Sequence, residues 1–370
     1  MRKLLSEYWK LIVVLAIPYL FIIVSSFVKV NYDITTPATI TSVSEVIQIG
    51  KKESHSVNTV AVYSYTKVDY LSYLLAKINP YATISETYKY EVTDNKVSYS
   101  SGLIQKKVSI YNSIISGYLA AGYDNIIDED SFKGYIIHSL YTFSPKDLKV
   151  GDIIIAFNGV DFTTLSENNL FDEECDKITF EKDKTYKIKV LRSVSENGKT
   201  EYKEFDYDIK AGAYYINNDV KMAAFGISTY TYTVPKTLDN DNIAYSWNYG
   251  YTVGPSGGLM QSLYVYASLT GFNKLNNLKI AGTGTVDAFG DAGPIGGIYQ
   301  KIITAELSNV DVFFVPVESM IEEEYSKENN YIEAMKAYTS LNDPHIKVVM
   351  VSSLDDILDY LNSQETMKGE

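Results

Sequence analysis

The chain has 370 residues, of which 46% are apolar and 21% charged, the balance of an ordinary folded protein with room for two or three domains. A formal net charge of −13 without any Lys/Arg-rich run argues against a nucleic-acid partner. The lone Cys175, set among acids in FDEECDK, makes no internal disulfide and is a poor thiolate; His55, His138 and His345 lack metal-ligand spacing, and no HExxH, CxxC or GxxxxGK[ST] occurs, so neither a metal nor a nucleotide cofactor is expected.

The first predicted element is a membrane helix. LIVVLAIPYLFIIVSSFV, residues 11–28, runs without a charge. At helical rise it spans about 27 Å, close to the ~30 Å of a hydrocarbon core, and Pro18 is tolerated there. Arg2, Lys3 and Lys10 precede it, while Lys29 alone follows closely. That asymmetry makes residues 1–30 a cytoplasmic N-terminus with its anchor and puts the bulk of the chain outside the cytoplasm. A cleaved signal peptide is the competing reading, although its apolar region is usually shorter (about 7–15 residues) and VSSF is a weak match to its cleavage site. The lipid bilayer is thus one expected partner, through residues 11–28.

Residues 31–120 form an α/β region to which no chemistry attaches, either separate or part of the C-terminal domain. Tyrosine-rich alternating runs such as VAVYSYTKV suit half-exposed strands. KVDYLSYLLAKINP predicts an amphipathic helix ending before Pro80, and KKVSIYNSIISGYLAAGY predicts a second. Residues 121–212 read as a β module: a strand at GYIIHSL, a short helix near SPKDL, the strand VGDIIIAFNG with an Asn-Gly turn, and a closing hairpin from YKIKVLRSV through SENGKT to YKEFDYDIK.

Residues 213–362 alternate strands and helices, ahead of a polar tail at 363–370. VDVFFVPV is a continuous apolar strand, and HIKVVMVSSLDDILDYL is a strand leading into a helix with Ser353 as N-cap and Asp356 at the third helical position. YTVGPSGGLMQSLYVYASLTG predicts a tight turn at Gly254 and Pro255, then a helix that stops near Gly271. Ser256 sits where that helix begins, and a plain N-cap is one reading of it. In GPIGGIYQKIITA, Ile298, Ile302 and Ala305 form a core-facing stripe, and Lys301 falls on it. Snorkelling explains an isolated lysine there. A second explanation is that desolvation lowers its pKa and leaves a neutral amine able to act as a base.

Two resemblances bear on function. The β module resembles a bacterial PDZ domain, most specifically in Leu148, Gly151, Asp152, Ile154, Asn158 and Gly159, although the Gly-Leu-Gly-Phe loop is absent in that form; the resemblance implies peptide capture by strand addition, with a packing or gating module as the alternative. The C-terminal region resembles the proteolytic domain of Lon protease. The family's Gly-Pro-Ser-Ala-Gly motif reads Gly254-Pro255-Ser256-Gly257-Gly258, and its lysine follows Pro-Ile-Gly-Gly at the place of Lys301. Between them, AGTGTVDAFGDAGPIGG places Thr283 on the threonine that supports the family's lysine. The whole arrangement resembles the bacterial membrane-anchored PDZ–Lon-domain family, which has no ATPase module.

The fold this implies is multidomain α+β: an anchor, an α/β region, a PDZ-like β module and a Lon-type α/β domain. The activity it implies is ATP-independent serine endopeptidase action by a Ser-Lys dyad on exposed or unfolded protein segments, with no cofactor. Ser256 would be the nucleophile, Lys301 the base and Thr283 its orienting partner, with the turn at Gly254, Pro255 and Gly257 beside amides that serve as oxyanion donors. Protein or peptide substrates, and further copies of the chain in a ring, are the partners it implies. The alternative is a non-catalytic PDZ-based scaffold or peptide binder with a Lon-like domain. A triad through His345 is a third reading, for which the sequence supplies no orienting acid at recognisable spacing.

Overall fold

The computed structural model describes residues 2–50, 56–92, 94–163, 170–196, 198–216, 220–238, 240, 243–272, 278–317 and 330–364. His55 and most of the polar tail lie outside the described residues. The protein is mixed α+β. Among the described residues there are eight α-helices: α1 (Arg2–Phe27), α2 (Tyr70–Ile78), α3 (Asn95–Ala120), α4 (Leu170–Asp176), α5 (Gly258–Thr270), α6 (Ile298–Leu307), α7 (Asn330–Ser340) and α8 (Leu354–Ser363). They belong to two compact units, Met1–Ala38 with Val62–Lys89 and Thr39–Ala61 with Tyr90–Glu370.

In the first unit, Glu7–Phe27 of α1 is long and apolar enough to cross a membrane. Leu11, Ile17, Leu20 and Phe27 are all more than half exposed, so among the described residues most of this helix faces no protein core. Asp69 caps α2 by accepting from Ser72 N at 2.9 Å. The helix stops at Ile78, two residues before Pro80, as the clash of a proline ring with a preceding helical residue requires. Tyr32–Thr35 pair antiparallel with Thr83–Glu86, and Ile34, Val68 and Ala76 close a small core.

The second unit holds a parallel sheet clad on both faces. Ile280–Gly282 lies between Val57–Thr59 and Val312–Pro316, and the latter pairs with Lys347–Val351. Because strand side chains alternate, Val312 and Phe314 join a cluster with α3, α5 and α8, while Phe313 and Val315 join one with α6 and α7. Burial on both faces is why VFFVP is apolar without alternation. Ser353 caps α8 by accepting from Asp356 N, as its sequence predicts.

The same unit carries an antiparallel sheet in the order Ile227–Thr233, Phe132–Leu140, Ile153–Phe157, Thr185–Glu196, Lys199–Lys210. Its first strand comes from beyond residue 212. Asn158 and Gly159, at φ 48° and 87°, turn Ile153–Phe157 into Val160–Asp161, the left-handed pair an Asn-Gly hairpin turn needs. Asp152 is 1% exposed and paired with Arg192 through two bonds of 2.7 and 2.6 Å, while also accepting from Lys149 N. The aspartate of the Gly-Asp motif is therefore a structural anchor. SPKDL forms turns with Leu148 N bonded to Pro145 O, and no helix. Five residues close too few hydrogen bonds to repay helix nucleation. Cys175 is half-buried beside the aromatic core of this sheet.

Candidate functional site

The Ser256 turn is shaped by backbone requirements that its sequence meets. Gly254 adopts φ +90°, where a side chain is strained. Gly258 opens α5 so close to α3 that a Cβ would lie 2.7 Å from Ser109 Oγ. The helix N-cap is Gly257, with no side-chain cap bond, so Ser256 stands one residue ahead of the cap position and the plain N-cap reading fails. Its hydroxyl makes no hydrogen bond among the described residues. The amides of Ser256 and Gly257 likewise have no acceptor among the described residues, whereas those of Gly258 and Leu259 are bonded to Pro255 O and Gly284 O. Gly257 has φ −90°, which any residue adopts, but a Cβ there would sit 3.1 Å from both Gln261 and Thr59. Crowding by those two side chains suits glycine at this position.

Lys301 lies on α6 with Ile298, Ile302 and Ala305, each fully buried, and is itself 2% exposed. Snorkelling is excluded by that burial. Nζ donates to Thr283 Oγ1 at 3.0 Å, and Thr283 Oγ1 donates to the Ser256 carbonyl at 3.0 Å. Gly284 N donates to the same carbonyl at 2.8 Å. Lys301, Thr283 and Ser256 are thus joined in one chain of hydrogen bonds, although no direct bond links Ser256 Oγ to Nζ among the described residues. Burial pushes the Lys301 amine down to about 7, against the opposing pull of the Glu333 carboxylate.

The first turn of α7 holds the segment that leads into α6. Asn330 accepts from Ile295 N at 3.0 Å and donates to Ile295 O at 2.7 Å, and Glu333 accepts from Ile298 N at 3.2 Å. On the other side, α3 holds the serine turn: Ser109 Oγ donates to Pro255 O at 2.7 Å and Gly254 N donates to Gly102 O at 2.9 Å. Sequence reasoning attached no chemistry to α3, and the only available signal was its run of small residues Gly102, Ser109, Ser113, Ser116 and Gly117 at helical spacing.

His345 does have an acid beside it, Glu306, with Nδ1 3.4 Å from Oε2, but that pair is at the C-terminal end of α6 and half exposed. No hydrogen bond joins it to Ser256 among the described residues. His138 is buried at the contact of α3 with the antiparallel sheet, stacked on Tyr230 and bonded to Gln105 and Ser139.

Known protein-family models and curated proteins contain no match to this chain.

Proposed function

We propose that the chain is a membrane-anchored, ATP-independent serine endopeptidase of the PDZ–Lon-domain kind, acting by a Ser256–Lys301 dyad on exposed or unfolded protein segments. The observation that carries this reading is the buried Lys301 amine, oriented by Thr283 at the turn that presents an unbonded serine hydroxyl.

The chemistry follows from the hydrogen-bond directions. Thr283 commits its one proton to Ser256 O, so toward Lys301 it accepts. A neutral amine has two N–H groups and one lone pair. With an N–H fixed on Thr283, the lone pair is available to the Ser256 hydroxyl once that side chain rotates. Hydroxyl–base contacts commonly close only with substrate bound. As Ser256 Oγ attacks a peptide carbonyl carbon, Lys301 takes the hydroxyl proton. The carbonyl oxygen becomes an oxyanion to which the unbonded Ser256 and Gly257 amides donate. Collapse breaks the C–N bond, the amine leaves with the proton from Lys301, and water then hydrolyses the ester by the same steps.

The anchor reading assigns α1 to the bilayer, with the basic N-terminus in the cytoplasm and the remainder outside it. The antiparallel sheet is assigned as a PDZ-like module that recruits peptide segments. The test is labelling of the detergent-solubilised full chain with a fluorophosphonate, alongside casein cleavage. Label on Ser256, with both activities lost in Ser256→Ala and Lys301→Ala, is expected. A chain that binds unfolded protein but neither labels nor cleaves is a scaffold, and the peptidase reading fails.

A further inference from the structure

A second buried lysine flanks the serine turn. Lys106 on α3 is 3% exposed, and its Nζ donates to Thr252 O at 2.9 Å and to Thr252 Oγ1 at 2.7 Å. Gly102, Lys106 and Ser109 recur at i, i+4 and i+7, which puts them on one stripe of α3. Each is bonded to the turn: Gly102 O to Gly254 N, Lys106 to Thr252, Ser109 to Pro255 O. The backbone from Thr252 to Pro255, immediately before the nucleophile, is therefore clamped at three points by one helix face.

The lysine is an expensive choice for this clamp. Burial alone pushes its amine down to about 8. Among the described residues no carboxylate pairs with it, and its Nζ lies 3.8 Å from where a Cβ on Gly250 would stand. Lys107, next on the helix, lies instead over the Tyr111 and Tyr232 rings. Tyr249 is pushed up by burial, and Glu45 on the adjoining turn is exposed. A methionine would fill the same space at no ionic cost. What lysine adds is a charge-assisted donor on the Thr252 carbonyl, about twice as strong as a neutral one.

We propose that Lys106 is a positioning residue for acylation: through Thr252 it fixes the turn so that the Ser256 and Gly257 amides point where the oxyanion forms. The inference rests on the peptidase reading and deepens it. A misplacement of about 1 Å in a catalytic group costs about 10²-fold in rate. The effect falls on kcat with KM unchanged, because the oriented amides act on the oxyanion and not on the ground-state substrate.

The experiment measures the fluorophosphonate labelling rate and casein kinetics of the full chain in detergent, with Ser256→Ala as blank. If the wild-type chain does not label at Ser256, the peptidase reading fails, and this inference with it. If it does label, Lys106→Met is expected to slow labelling by about 10²-fold at pH 7.5 while melting no lower than wild type. Lys106→Gln, which keeps a donor without the charge, recovers part of the rate. A Lys106→Met chain that labels at the wild-type rate overturns the proposal. The pH profile is a second test. Labelling rises as Lys301 loses its proton, then falls by about fivefold above pH 8 as Lys106 does, since a neutral amine is the weaker donor. That falling limb is absent in Lys106→Gln. A falling limb that persists unchanged in Lys106→Gln also overturns the proposal.

Discussion

Replacing Lys301 by methionine should abolish labelling and cleavage while stabilising the fold, by an amount that depends on pH in a calculable way. The amine titrates near 10.5 in the unfolded chain and about 7 in the folded one. Below pH 7 both states hold the proton and the full cost of burying charge is present. Between 7 and 10.5 the unfolded chain binds more protons, so stability rises with pH. At 1.36 kcal/mol per pK unit, the lysine costs about 4 kcal/mol at pH 7 and about 2 kcal/mol at pH 9, relative to a group with no proton to lose. Methionine gives up the bond to Thr283, worth about 1 kcal/mol at either pH. Lys301→Met should therefore be about 3 kcal/mol more stable than wild type at pH 7 and about 1 kcal/mol more stable at pH 9. In a unit of about 300 residues, with an unfolding entropy of about 2.1 cal/mol/K per residue, that is a melting advantage of about 5 °C shrinking to about 2 °C. Scanning fluorimetry of both detergent-solubilised chains across that range measures it, and taking the difference between chains cancels the titration of Lys106. An advantage that stays constant with pH, or a variant less stable at pH 7, would show that the amine is not held away from water, and the mechanism would fall with it.

Three further outcomes follow from the same geometry. Thr283→Val keeps the shape but removes both the acceptor for Lys301 and the donor to Ser256 O; labelling should slow by about 10²-fold, read by the same probe, with a stability loss of about 1–3 kcal/mol. Glu333→Gln removes the charge that pulls the Lys301 amine upward, so the rising limb of the labelling profile should move to lower pH; a shift to higher pH would contradict the assignment. Asp152→Ala strands the Arg192 guanidinium and should destabilise the antiparallel sheet by about 3 kcal/mol, seen as faster amide hydrogen exchange in its strands with the exchange of α5 unchanged.

Legibility in the sequence tracked the range of the physical signal. Helix starts and stops are local, so the Ser353 cap of α8 and the end of α2 ahead of Pro80 could be read from a few adjacent letters. The Lys301 stripe was also local, because only a helix puts Ile298, Ile302 and Ala305 on one side, and burial of the lysine among them follows from that face. The SPKDL helix did not form, because a single turn closes few hydrogen bonds and depends on tertiary contacts that a short pattern does not reveal. Lys106 was invisible for a different reason. A lysine in a 26-residue helix is ordinarily solvated, and nothing near residue 106 announces that Thr252 will lie against it. The burial is created by a contact between segments distant in the chain, and pattern reading has no access to such contacts.

The two lysines also explain how the unit tolerates its site. Burying the two amines costs several kcal/mol at pH 7, a large share of the net stability of many domains. Such a cost is borne only where surrounding burial is extensive. The site sits between the two largest clusters around the parallel sheet, the one including α3 and α5 and the one including α6 and α7. The α3–α5 contact is itself held by small residues, with Ser113 Oγ on Gly258 O at 3.0 Å and Ser116 bonded to Ser262. That close approach lets Lys106 reach the turn from one side, while Thr283 joins it to Lys301 on the other. Apolar residues at positions 106 and 301 would give a more stable molecule with the turn clamped at two points instead of three and no base. The arrangement therefore trades stability for orientation at one point, the backbone around Ser256, and that is where a chemical step would benefit from it.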